Sequence, residues 1–211
     1  RSGLSELSRS ARRKATVVYQ SSRVTFRHRP VRSRFRVAVI GHLRREKDPF
    51  RAAHALARIA PSAPIELCQV GAALDPAMRA ECRAWQKRDP RYRWLGSLPH
   101  HRAMQWLSRS HVLVVSSVME GGANVICEAA RIGVPVLASR VPGNLGMLGR
   151  DYPGYFSLGD DAALARLLER CRKDGQFYAR LKTMVLRRRG LFAPAAEKSA
   201  LRRVIRSVAR A

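Results

Sequence analysis

Residues 112–132 have the sequence VLVVSSVMEGGANVICEAARI, which carries the clearest structural signal in this 211-residue chain. Its first four residues form a continuous apolar run, typical of a strand that is buried on both faces of a sheet. A polar turn and a Gly-Gly pair follow, and a helix is predicted from about residue 124 to 132. The segment therefore predicts a buried strand joined to a helix by a glycine-containing loop.

The alternation of strands and helices extends in both directions from this segment. Short apolar runs predict five further strands, at 35–40, 65–70, 92–95, 134–137 and 154–158. Further helices are predicted over about 75–87, 100–110 and 160–173, and over about 48–60, where Asp48 is the expected N-cap and Pro49 lies in the first turn. This alternation predicts an α/β fold, a Rossmann-like parallel sheet with helices on both faces.

Positive charge is concentrated at the two ends of the chain, whose formal net charge is +26. Residues 1–36 contain eleven basic residues and one acidic residue, and residues 172–211 contain twelve and two, whereas 37–171 contain eighteen and twelve. Arginine, which binds phosphate in a bidentate fork, outnumbers lysine by 35 to 6. A basic nucleic-acid-binding α/β protein is therefore one alternative. Since the chain contains no RNA-recognition signature and no zinc finger, we expect no specific nucleic-acid partner.

Composition argues against two other classes of protein. No apolar stretch approaches the ~20 residues that a membrane-spanning helix needs, so no membrane span is expected. The four cysteines are 14, 45 and 44 residues apart and form no C-x-x-C pair. This spacing suggests neither a zinc site nor a disulfide scaffold, and it fits a reducing cytoplasm.

Ligands of parallel α/β sheets bind at the carboxyl ends of the strands, so the loop that follows strand 35–40 is one candidate site. Residues 41–48 have the sequence GHLRREKD and offer one glycine, one histidine, two arginines and a lysine. Cations beside a helix N-terminus would form an anion site. The alternative is an ordinary basic surface loop whose glycine ends the strand.

The loop after strand 112–115 is the second candidate. Its glycines would let the backbone approach a ligand closely, and the free amides at the start of the helix favour phosphate. Glu128 follows Asn124 by about one helical turn and can point toward the same pocket. Two carboxylates beside a phosphate cradle suit a sugar nucleotide, because carboxylates accept hydrogen bonds from vicinal diols. The alternative is a Gly-Gly turn in which Asn124 caps the helix.

His100 and His101, which precede another predicted helix, are expected to be surface residues rather than ligands.

Glu120 and Glu128 form an E-x7-E motif, which resembles that of the retaining glycosyltransferases of family 4. Residues 41–47 (GHLRREK) are similar to the G-R-L-x-x-E-K loop of that family, 93–96 (RWLG) to its F-L-G strand end, and 134–139 (VPVLAS) to its G-x-P-V-V-A-S strand. These motifs occur in order over about 35–160. The resemblance implies the C-terminal, donor-binding half of a two-domain GT-B glycosyltransferase.

The resemblance also implies a division of the chain. Residues 1–34, which include a β-like run at 16–19, would be a remnant of the N-terminal domain and a linker. Residues 35–175 would form the nucleotide-sugar-binding domain, and 176–211 a basic helical tail. The N-terminal domain that binds the acceptor would be missing, so we expect the chain to bind a UDP-sugar without turning it over.

Residue roles follow from the resemblance. Lys47 and Glu120 would be catalytic, because the lysine offsets charge on the leaving UDP and the acid holds donor-sugar hydroxyls. Glu128 would bind the ribose diol. No metal and no cofactor are implied. His42 stands where the family has arginine, and which nearby cation replaces that arginine is left open. The implied donor-binding residues are Gly41, His42, Arg44, Arg45, Lys47, Glu120, Gly121, Gly122, Ala123, Asn124, Val125 and Glu128.

A closer resemblance is to the selenosugar synthases of selenoneine biosynthesis, which join selenophosphate to the sugar of a UDP-sugar. The similar segments are 41–49, 120–125, 141–144 and 152–156. The resemblance implies selenophosphate as the acceptor. A sugar-nucleotide-binding module without catalytic activity is the third alternative, beside the glycosyltransferase and the nucleic-acid-binding protein.

Overall fold

The computed structural model describes residues 7–209, in which six parallel strands form one sheet. The order across the sheet is β3-β2-β1-β4-β5-β6. The strands are β1 (Phe35–Ile40), β2 (Ile65–Val70), β3 (Tyr92–Trp94), β4 (Val112–Val115), β5 (Val136–Ser139) and β6 (Tyr155–Phe156). Every residue of β2, β4 and β5 is buried, as the continuous apolar run of β4 predicts for that strand.

Nine helices in the described part of the chain connect or flank these strands. They are α1 (Arg9–Lys14), α2 (Arg51–Ala57), α3 (Pro76–Arg88), α4 (His100–Ser108), α5 (Asn124–Ile132), α6 (Pro142–Leu148), α7 (Asp161–Lys173), α8 (Gly175–Arg188) and α9 (Pro194–Val208). Short 3-10 helices occupy Arg45–Lys47 and Arg189–Phe192. Helices cover both faces of the sheet, which confirms the predicted α/β, Rossmann-like class.

The strand order reverses between β1 and β4, which pair through Val37 and Val112. In doubly wound sheets the crevice at such a reversal, outside the carboxyl ends of the strands, is where ligands bind. The two loops that leave β1 and β4 at this edge are the two that the sequence singles out. The topology therefore brings together the two loops that were predicted as candidate sites.

The predicted terminal segments contribute to the same core. In α8, Phe177, Leu181 and Val185 are buried. At the other end of the chain Val24 is buried, and the backbone N–H of Ser22 donates to the carbonyl of Phe192. Residues 1–6 and 210–211, which belong to the predicted remnant and tail, lie outside the described residues. The division of the chain at 34 and 175 stays a prediction.

The predicted start and end of the helix over 48–60 are wrong. Asp48 is not an N-cap: it follows the 3-10 helix with φ 44° and ψ 57°, and α2 begins only at Arg51. The Asp48 side chain accepts a hydrogen bond from Arg51 Nε at 2.7 Å, which stabilises this turn. At the other end, the Arg91 guanidinium donates to the carbonyls of Leu56, Ile59 and Ala60, so these groups are satisfied without a continuing helix.

Other predicted boundaries differ by a few residues. β5 begins at Val136 rather than at residue 134, because the Val134 N–H donates back to Ala129 and closes the end of α5. The β-like run at 16–19 is not a strand, and α1 and α6 were not predicted. The predicted helices over 75–87 and 124–132 are confirmed within one residue, and Asp75 caps α3 through the Ala77 N–H.

Candidate functional site

A cavity of about 510 Å³ lies at the carboxyl ends of β1 and β4. Its volume is within the range of small-molecule sites. Nine of the twelve residues implied by the sequence line it: Gly41, His42, Lys47, Glu120, Gly122, Ala123, Asn124, Val125 and Glu128. Lys47 and Glu128 therefore line one and the same cavity.

Three hydrogen bonds connect the loop that carries Lys47 to the end of β4. The Ser116 hydroxyl donates to the carbonyls of Lys47, at 3.0 Å, and Asp48, at 2.8 Å. The Val118 N–H donates to the carbonyl of Glu46 at 2.9 Å. Because these bonds attach one loop to the other, the position of Lys47 is fixed relative to Glu120.

Glu120 is held from two sides. Its Oε1 accepts hydrogen bonds from Lys47 Nζ and, at 2.6 Å, from the Ser117 hydroxyl. The Glu120 side chain is 8% exposed, whereas that of Lys47 is 39% exposed. The pair neutralises a carboxylate that would otherwise be buried without a counter-charge. Lys47 keeps further N–H donors for a ligand, since an ammonium group has three.

A buried polar network supports the Glu120 loop from the side of α6. Asn144 Nδ2 donates to the carbonyl and the hydroxyl of Ser139, at 3.0 and 3.1 Å. The Ser139 hydroxyl in turn donates to the Ser117 carbonyl at 2.6 Å. Gly143 packs against the same loop so closely that a Cβ atom added to it would lie 1.9 Å from the Glu120 carbonyl oxygen. The first turn of α6 therefore packs directly against the backbone of Glu120 and limits its movement.

The N-terminus of α5 contributes backbone donors to the cavity. Its N-cap is Ala123, which has no side chain that could bond to the first amides, so the alternative in which Asn124 caps the helix is wrong. Gly122, Ala123, Asn124 and Val125 all line the cavity. Uncapped amides and the positive end of the helix dipole favour an anion at this position.

Glu128 lies one turn further along α5, and its side chain is 14% exposed. His100, the first residue of α4, contacts it: His100 Nε2 lies 2.7 Å from Glu128 Oε1. His100 is exposed, as expected for a surface residue, and it also lines the cavity. A histidine separated by 28 positions from its partner gives no local sequence signal, and only the shared strand-end edge could have indicated it.

Three predicted residues lie outside the lining of this cavity. Arg44 is exposed and pairs at 3.8 Å with Glu46, and Arg45 is exposed in the 3-10 helix. Of His42, Arg44 and Arg45, the three residues near the family's arginine position, His42 is the one that lines the cavity; its Nδ1 accepts from the Ala72 N–H at 3.3 Å. Gly121 lines an adjoining cavity of about 220 Å³, which it shares with Gly122.

Metal and thiol chemistry have no candidate here among residues 7–209. No group of three or more histidine, cysteine, aspartate or glutamate side chains in this range could hold a metal ion. Cys127 is buried within α5, and burial raises the pKa of its thiol to about 12, so it is a packing residue rather than a nucleophile. No helix in the same range is long and apolar enough to cross a membrane.

Residues 23–185 match the family of glycosyl transferases group 1. This match covers more than half of the chain and includes both loops of the cavity. The chain belongs to this family. The chain is also 30% identical, over 129 residues, to glycosyltransferase 1 domain-containing protein 1 of Xenopus tropicalis. That alignment covers 61% of the chain and 37% of the relative.

Solved structures share the fold of this chain at low sequence identity. The Anabaena protein Alr3699/HepE in complex with UDP-glucose is 20% identical, with a TM-score of 0.71, over 84% of the chain and 49% of that protein. Sucrose-phosphate synthase from Thermosynechococcus elongatus is 24% identical, with a TM-score of 0.72, over 84% and 46%. The fold is therefore that of a Rossmann-like half of a GT-B glycosyltransferase. The chain spans about half the length of these solved proteins.

Proposed function

We propose that the cavity binds the UDP-sugar donor of a retaining, metal-independent glycosyltransferase of family 4. One observation carries this proposal: a lysine, two carboxylates and an uncapped helix N-terminus line a single cavity at the point where the strand order reverses. Diphosphate, hexose and ribose each find a chemically suited partner in that set. The complexes of Alr3699/HepE with UDP-glucose, UDP and glucose support the choice of donor.

The diphosphate is assigned to the side of the cavity formed by Lys47 and the start of α5. The Lys47 ammonium group carries a full positive charge, and the amides from Gly122 to Val125 add the positive end of the helix dipole. As the bond between the sugar and the diphosphate breaks, negative charge develops on the leaving UDP. Fixed positive groups stabilise that charge more than they stabilise the intact donor, and this difference lowers the barrier. The same groups supply the charge that a divalent metal supplies in other enzymes.

The two carboxylates are assigned to hydroxyl groups. Glu120 holds hydroxyls of the donor sugar, and Glu128 accepts hydrogen bonds from the ribose diol. In the transfer, the bond between the anomeric carbon and the diphosphate oxygen breaks, UDP leaves with the bonding electrons, and the acceptor's nucleophilic atom bonds to the anomeric carbon on the face that UDP leaves. Glu120 and Lys47 contact the reacting part of the donor in this arrangement and are the proposed catalytic residues.

Selenophosphate is the proposed acceptor, and its support is the resemblance of segments 41–49, 120–125, 141–144 and 152–156 to selenosugar synthases. Transfer to selenium would form a carbon–selenium bond and release UDP. We propose that this reaction requires an acceptor-binding domain beyond this chain. Incubation of the chain with UDP-N-acetylglucosamine and selenophosphate is therefore expected to give no selenosugar. Product formation by the chain alone would contradict this part of the proposal.

Isothermal titration calorimetry of the chain with UDP, UDP-glucose, UDP-N-acetylglucosamine and ADP tests donor binding. Glu128→Ala is expected to weaken UDP binding by about 10- to 100-fold, since it removes hydrogen bonds to a charged group worth about 1.5–3 kcal/mol. Glu81→Ala is the matched control, because Glu81 is an exposed residue of α3 outside the cavity. Equal affinity for UDP in Glu128→Ala and the unsubstituted chain would overturn the proposed function.

A further inference from the structure

His100 is a cavity residue that the proposed donor contacts leave unused. It begins α4, and its side chain is 68% exposed although its ring touches a carboxylate that is only 14% exposed. The contact joins α4 to α5, two helices that pack against each other. His101, its neighbour on α4, is exposed and does not line the cavity.

The chemistry of the pair fixes the direction of the hydrogen bond. An ionised carboxylate only accepts, so the imidazole donates its Nε2–H to Glu128 Oε1. Within residues 7–209, His100 is the one side chain that hydrogen-bonds to this carboxylate, and it occupies one of the two oxygens. Oε2 therefore remains available to a ligand hydroxyl.

Glu128 differs in this respect from Glu120. The carboxylate of Glu120 is held by Lys47 from the facing loop and by Ser117 from its own loop. In the described part of the chain, Glu128 is held by His100 alone. A glutamate side chain that is free in the unbound protein loses rotamer entropy when a ligand fixes it. A histidine that fixes it beforehand removes part of that loss from the binding free energy.

We propose that His100 is the positioning residue of the nucleoside end of this site. It holds the Glu128 carboxylate so that Oε2 faces the ribose diol, and in this way it makes the site selective for ribonucleotides over 2′-deoxyribonucleotides. This inference rests on the proposed function, since it assigns a partner to the carboxylate that binds ribose. His100 itself acts through Glu128.

Calorimetric titration of the full chain with UDP and with 2′-deoxy-UDP tests this role in three variants. His100→Ala is expected to weaken UDP binding about fivefold, corresponding to about 1 kcal/mol for one hydrogen bond, and to change 2′-deoxy-UDP binding less than about twofold. His100→Gln keeps an N–H donor at a similar reach and is expected to restore most of the preference for UDP. His101→Ala is the matched control on the same helix and is expected to leave both affinities unchanged.

The ratio of the two affinities separates positioning from a structural effect. A general loosening of α4 would weaken both nucleotides equally, and such a result would overturn the inference. Tighter UDP binding in His100→Ala would also overturn it, because the histidine would then compete with the ligand for Glu128. If the unsubstituted chain binds no UDP, the proposed function fails; if it binds UDP and His100→Ala keeps the full preference, only this inference fails.

Discussion

Gly143→Ala perturbs the contact between the first turn of α6 and the backbone of Glu120, and it changes no charged side chain. The added methyl carbon would lie 1.9 Å from the Glu120 carbonyl oxygen, 2.6 Å from its carbonyl carbon and 2.9 Å from its Cβ. Ordinary carbon contacts need roughly 3.5 Å, so α6 and the Glu120 loop must separate by about 1.5 Å. This movement is necessary because the added carbon would clash with the backbone and Cβ of Glu120, and none of these atoms can be removed from the contact by a change of side-chain rotamer.

The expected consequences are a loss of stability and a loss of donor affinity. Overpacking of this kind lowers the free energy of unfolding by about 1–3 kcal/mol. Displacement of Glu120 also strains its bonds to Lys47 and Ser117, so affinity for UDP-glucose is expected to fall about tenfold, or about 1.4 kcal/mol. Urea denaturation followed by circular dichroism measures the first quantity, and calorimetry measures the second.

Gly175→Ala is the matched control for this substitution. Gly175 begins α8, and a Cβ atom added there would meet no atom within 4 Å. This variant is expected to be as stable as the unsubstituted chain or more stable by up to about 1 kcal/mol, since alanine favours a helix. A Gly143→Ala variant with an unchanged urea midpoint and unchanged UDP-glucose affinity would refute the close approach of α6 to Glu120.

Further predictions concern the buried polar groups and the basic termini. Arg91→Met is expected to lower the free energy of unfolding by about 3 kcal/mol, because it removes the guanidinium that neutralises the largely buried Asp89 carboxylate and donates to the carbonyls of Leu56, Ile59 and Ala60. Burial lowers the pKa of His28 from 6.5 to about 4, so the unfolded chain binds the proton more readily, and stability is lost as the pH falls from 6.5 toward 4, by on the order of 3 kcal/mol for this group. Ser117→Ala removes a hydrogen bond to Glu120 and is expected to weaken UDP-glucose binding about fivefold while UDP binding changes less. Any nucleic-acid binding is expected to fall steeply with salt and to be unaffected by Glu128→Ala.

Each of these predictions has a control or a contradicting result. Arg83→Met, at an exposed position of α3, should leave the free energy of unfolding nearly unchanged. His28→Gln, measured by urea denaturation at pH 7 and pH 4.5, should show a shallower loss of stability with acid than the unsubstituted chain; an equal loss contradicts the assignment. For Ser117→Ala, equal weakening of UDP and UDP-glucose would contradict a role at the sugar. Salt-resistant nucleic-acid binding that is lost in Glu128→Ala would favour the nucleic-acid alternative.

Hydrophobic patterning predicted the architecture, because apolar residues form short runs in strands that are buried on both faces but recur every three to four positions in the helices that cover the sheet. The continuous apolar run at 112–115 identified the buried strand β4, and the rule that ligands bind at strand carboxyl ends pointed to both loops. The individual site residues were implied by the family resemblance, and nine of them line the cavity. Local sequence patterns could not predict the contacts that different helices, strands and loops make with one another.

Two residues illustrate that limit. Asp48 has a strong N-cap preference, yet its backbone is left-handed; Ser116, at the end of β4, binds its carbonyl, and Arg51, three residues along the chain, binds its carboxylate. His100 carries no local signal, and its contact with Glu128 exists only because α4 and α5 pack together. Both outcomes arise from tertiary contacts that override or supplement local preference.

A crystal structure of the chain with UDP tests the central claim most directly. The account predicts the diphosphate within about 3 Å of Lys47 Nζ and of the backbone amides that begin α5, with the ribose diol on Glu128. A diphosphate bound instead to the arginines of either terminus, with the cavity between β1 and β4 left without nucleotide, would contradict it.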